Sequence, residues 1–109
     1  MHAPSPLAIL LAAPPTAAGG REALARAATQ AAAGRAVRVL LSAEGLAWAQ
    51  PEHRAALAAM ADVVVCSRNA REAGWSAEDT PAGVGWSSVA TWLAQLDAEG
   101  PAALWAVLP

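Results

Sequence analysis

Apolar residues run unbroken from Leu7 to Ala12, in a stretch bounded by Pro6 and the Pro14-Pro15 pair, the pattern of a strand buried on both faces. After a loop of small residues at 16–20, Leu24, Ala27, Ala28 and Ala31 recur at helical spacing. They predict a helix over 21–33 whose alanine surface lets a sheet approach closely, stopped by Gly34. Residues 36–41 read as a second strand, and Ser42-Ala43-Glu44-Gly45 as the loop that leaves it. Pro51 at a first helical position, with Glu52 beside it, predicts a second helix running to about Met60. The run Asp62-Val63-Val64-Val65-Cys66 is the clearest strand in the chain. A short helix over 67–73 is expected next, capped by Ser67 or Asn69 and closed by Gly74, with one further turn at 76–79. Residues 82–86 fit either an edge strand or a loop. Ser87 then caps a helix to about Ala98, with Val89, Trp92 or Leu93, and Leu96 inward; Gly100 and Pro101 stop it. Residues 102–108 supply the last strand.

This alternation predicts a single α/β domain over 1–109, Rossmann-like or flavodoxin-like. It has three layers: a mainly parallel sheet of about four to five strands, with helices on both faces. Composition agrees. The chain is 109 residues long, 56% hydrophobic and 15% charged, which excludes a disordered or polyelectrolyte chain. A mean hydropathy of +0.33 on so small a body predicts apolar surface left over after folding, and hence a homo-oligomer. All seven basic residues are arginine and the net charge is −2, so no footprint for direct nucleic-acid binding exists. No segment is apolar for long enough to make a membrane helix. The opening apolar run lacks a preceding Lys or Arg and reads as a strand rather than an export signal.

The single cysteine, Cys66, excludes an internal disulfide and any multi-cysteine zinc site, and fits a reducing, cytoplasmic compartment. No metal and no cofactor are expected. Three strand tips are candidates for chemistry: 13–20, 42–45 and 66–71. Only the third carries a nucleophile. There Cys66 would end a central strand just before helix N–H groups, beside Arg68 and Arg71. Such surroundings favour a thiolate, whereas burial opposes one and leaves the thiol an inert part of the core. Gly83-x-Gly85-x-x-Ser88 imitates half of a dinucleotide fingerprint but lacks the long strand and third glycine that would give it meaning. His53 reads as a solvated helix residue and His2 as part of a frayed terminus. Of the five tryptophans, Trp75 and Trp86 follow the cysteine and are candidates to wall a pocket or a subunit contact.

Three stretches together resemble the DsrE/DsrF-like family, which includes the TusD-type subunits of sulfur relay systems. The first is the opening strand-helix-strand over 7–41 followed by Gly45. The second is Val63-Val64-Val65-Cys66-Ser67-Arg68-Asn69-Ala70-Arg71-Glu72-Ala73-Gly74. The third is Val84-Gly85-Trp86-Ser87-Ser88-Val89, leading into the last helix and strand. The resemblance implies a Rossmann-like subunit of a trimer or hexamer, with Cys66 carrying sulfane sulfur as a persulfide. On that reading Ser67, Arg68, Asn69 and Arg71 stabilise the thiolate and persulfide, and Gly45, Trp75 and Trp86 wall the pocket. The partners would be sulfur donor and acceptor proteins or small thiols. Gly100-Pro101-Ala102 before the last strand and Pro14-Pro15 in the first loop depart from the family pattern. The alternative is a non-catalytic assembly module of the same fold.

Overall fold

The structure, a computed structural model, describes residues 5–109; His2 lies outside the described residues. Five strands form one parallel sheet: β1 (Leu7–Leu11), β2 (Val37–Leu41), β3 (Asp62–Cys66), β4 (Val84–Ser87) and β5 (Ala103–Val107). Their order across the sheet is β4-β3-β2-β1-β5. Three helices accompany them: α1 (Ala18–Ala32), α2 (Ser67–Glu72) and α3 (Val89–Glu99). This is a flavodoxin-like α/β domain.

The strand order dictates the layers. From β1 to β4 the chain steps in one direction, so crossovers of constant hand lay their connections on one face. The step from β4 back to β5 runs the other way and must cross the opposite face. The side chains agree. Leu7, Ile9, Val37, Val39, Val63 and Val65 meet α1 through Leu24 and Ala27, and α2 through Ala70. The other face presents Ala8, Leu40 and Cys66, covered among the described residues by Trp92 and Leu96 of α3. Apart from the paired Arg38 and Asp62, the central strands are therefore apolar on both faces.

Four expectations need correction. Residues 51–60 are not an α-helix. The connection from β2 to β3 is built of two 3₁₀ turns, Ala43–Ala49 and Arg54–Leu57. Pro51 acts as a breaker: it forces Gln50 into an extended conformation (φ −71°, ψ 150°) and the first turn ends there. Trp48 anchors that turn, with its indole N–H donating to the buried carbonyl of Ala13 at 2.9 Å. His53 is accordingly half-buried and set edge-on to Trp48, with ring centroids 6.0 Å apart, rather than solvated on a helix. The cap of α3 is Ser88, not Ser87: its Oγ accepts the Thr91 N–H at 3.0 Å. The start of α1 lies three residues before the expected one, because Gly19 and Gly20 form its first turn.

Candidate functional site

In an open parallel sheet, ligands gather beyond the carboxyl ends of the strands, where connections from neighbouring strands part to opposite faces. Among the described connections that parting falls between β3, which leads into α2, and β4, which leads into α3. Cys66 is the last residue of β3 and pairs in register with Ser87 at the end of β4. The sequence thus sets its only thiol at the switch point of the fold.

A groove of about 610 Å³ opens there, lined among others by Val64, Ser67, Arg71, Trp86, Ser87 and Thr91. It is bordered by both neighbours of the thiol along the face and the chain, and by its partner across the ladder. Cys66 itself turns beneath α3 into the small cluster with Trp92 and Leu96, and is 6% exposed. Cys66 is not among the residues that line the groove. Trp92 shares that cluster, fully buried, and its indole N–H has no hydrogen-bond partner among the described residues.

The other residues singled out from sequence divide into two groups. Ser67, Arg71 and Trp86 come together at the groove; Arg71 lies over the Trp86 ring at 6.0 Å, and the Trp86 indole N–H donates to Thr80 Oγ1. That contact sets one guanidinium at the rim, and among the described residues its N–H groups make no hydrogen bond. The second group serves elsewhere. Arg68 points to solvent and pairs with Glu72 one turn on, Nε to Oε1 at 3.0 Å. Neither Ser67 nor Asn69 caps α2: its N-cap is Cys66, with no side-chain cap bond. Asn69 instead accepts the Ala43 N–H through Oδ1 at 2.9 Å, tying the tip after β3 to the tip after β2. The tie holds Ala43 in a left-handed conformation (φ 48°) that costs a non-glycine residue energy. Gly45 is buried against the end of β1, where a Cβ would stand 2.0 Å from the Leu11 carbonyl oxygen. Trp75 packs half-buried on the α1 and α2 side of the core.

Sequence reasoning passed over Ser87, Ser88 and Thr91 as groove residues. The adjacent serines between a strand and a helix are the available signal, but in sequence Ser87 reads as a cap and Ser88 as the end of a half fingerprint. It also passed over Arg38, whose guanidinium reaches Asp62 at 3.5 Å and pairs with Glu99, pinning the C-terminal end of α3 to the sheet. Among the described residues no cluster of three or more His, Cys, Asp or Glu is placed to hold a metal ion. No helix among them is long and apolar enough to cross a membrane. No family model matches the chain, and no curated protein matches it.

Proposed function

We propose that this chain is a sulfur-relay subunit in which Cys66 accepts sulfane sulfur and passes it on. The observation that carries the reading is the position of the only thiol, at the end of β3 where the winding of the sheet reverses, beside a groove with an arginine at its rim. The chemistry is two matched displacements. The Cys66 thiolate attacks the terminal sulfur of a donor persulfide; the donor S–S bond breaks and the donor leaves as a thiolate. An acceptor thiolate then attacks the terminal sulfur now on Cys66, and Cys66 leaves as a thiolate. No electrons are gained or lost overall. Arg71, over the Trp86 ring, draws the anionic donor or acceptor into the groove and offsets the charge released at each step. Because the chain has no second cysteine, the acceptor is another protein or a small thiol, in a reducing and cytoplasmic setting. The resemblance described above implies a subunit of a family whose members assemble into trimers or hexamers.

The thiol is 6% exposed, so transfer requires the N-terminal turn of α3 to lift from it. The same burial favours a second reading, an assembly module in which Cys66 is only core. Mass spectrometry of the intact folded protein after incubation with a small persulfide separates the two. The relay reading expects a gain of one sulfur atom that Cys66→Ser abolishes and that a small thiol then removes. An unmodified wild type, or an adduct that survives Cys66→Ser, contradicts it.

A further inference from the structure

Among the described residues β5 is an edge of the sheet, paired on one side only, with β1. In β5 the Ala103 N–H donates to the Pro6 carbonyl, and the Val107 carbonyl accepts the Ala12 N–H, so the odd-numbered residues face β1. Leu104 and Ala106 therefore turn their N–H and C=O groups outward. This edge, Ala-Leu-Trp-Ala-Val, carries no charge, proline or glycine, whereas the opposite edge strand β4 is shorter and interrupted by Gly85. Proteins seldom leave such an edge bare. Leu104 is 51% exposed and Leu108 is 74% exposed.

We propose that two copies join β5 to β5, antiparallel, about a two-fold axis perpendicular to the sheet, making one ten-stranded sheet from two five-stranded ones. The outward groups restrict pairing to even-numbered residues, and the register centred on Trp105 uses both of them. Leu104 exchanges both backbone hydrogen bonds with the partner's Ala106, and Ala106 with the partner's Leu104. Trp105 then meets the partner's Trp105 in the close, non-hydrogen-bonded position, where cross-strand aromatic pairs are most favourable.

Charge identifies the occupant as the same chain. Along the flank of α1 that overlooks β5, Glu22 and Arg26 border a hollow of about 480 Å³ together with Trp105. Both are exposed, and neither enters an ion pair among the described residues. The two-fold sets the two α1 helices antiparallel on one face, so Glu22 faces the partner's Arg26 and the reverse. An unrelated strand has no reason to match that pair. The two Trp105 rings fill the hollow between the helices.

Sedimentation of the full chain over a concentration series tests this. The wild type is expected to form a dimer, or a hexamer containing the same two-fold. Ala106→Pro removes an N–H that β1 does not use, so the monomer keeps its circular dichroism while the pairing weakens by roughly 100-fold. Glu22→Arg alone weakens it by about 10-fold, and adding Arg26→Glu restores it. Cys66→Ser leaves association unchanged, which separates this contact from the sulfur chemistry. A monomer at high micromolar concentration, a trimer without a two-fold, association indifferent to Ala106→Pro, or a double reversal that fails to restore would each overturn it. Should Ala106→Pro fail to fold, the α1 charge reversals decide alone.

Discussion

Gly45 shows how a single atom shapes the molecule's functional end. With a Cβ placed 2.0 Å from the Leu11 carbonyl oxygen, Gly45→Ala is expected to cost about 3 kcal/mol or more in urea unfolding, since backbone stands on both sides of the clash. A glycine four residues after a strand was legible in sequence, but its role was not: the contact is with a strand more than thirty residues earlier. Asn69 carries the same lesson. Its spacing to Glu72 fits a capping box, yet its carboxamide oxygen is used by the Ala43 N–H from another loop. Asn69→Ala is expected to cost about 1 kcal/mol and to speed hydrogen exchange at Ala43, with Asn69→Asp retaining most of the protection. At the far turn, the Asp79 carboxylate accepts from the Ser76 N–H and Oγ–H, both at 2.9 Å, and these bonds hold its pKa below the ordinary aspartate value. A depressed folded-state pKa means the turn is supported above the unfolded value and loses that support as pH falls through the folded one. Carbon-detected titration is expected to show Ser76→Ala raising the Asp79 pKa toward normal.

The strands were the most legible elements, because a chain buried on both faces must be apolar throughout; residues 62–66 match β3 residue for residue. That very uniformity hid which way Cys66 points. In Val63-Val64-Val65-Cys66 no polar alternation marks the two faces, and the side taken by the thiol is settled by where α3 lands. The segment 43–60 failed for a different reason. Pro51 is equally at home at a helix start and at a break, and the anchoring of Trp48 on Ala13 decided for the break. The helix over the thiol, α3, has one strong cap and one pinned end. Ser88→Ala removes the acceptor for the Thr91 N–H and is expected to cost about 1 kcal/mol. Because that end of α3 lies over Cys66, the same substitution is expected to raise the rate of thiol modification severalfold under native conditions. An equal loss of stability placed in α1 should not.

Across the molecule as a whole, the winding reversal does two things at once. It brings the ends of β3 and β4 together as a groove with Arg71 and four hydroxyl side chains. It also leaves one face of the sheet covered, among the described residues, by a single eleven-residue helix. The layered fold followed from the order of elements in sequence, but the groove did not, since Ser67, Arg71, Ser87 and Thr91 come from three elements whose meeting depends on strand order. A thin cover over a thiol allows local opening without loss of the main core, which lies on the other face. That separation is what a buried carrier cysteine needs, and it can be measured. The rate at which a thiol reagent modifies Cys66 in the folded protein, followed through low concentrations of urea and compared with the unfolded chain, gives the free energy of the opening that exposes it. A relay subunit should open at a free energy well below that of global unfolding, with little dependence on urea. If Cys66 reacts only at the free energy and urea dependence of global unfolding, the thiol is core and nothing passes through it.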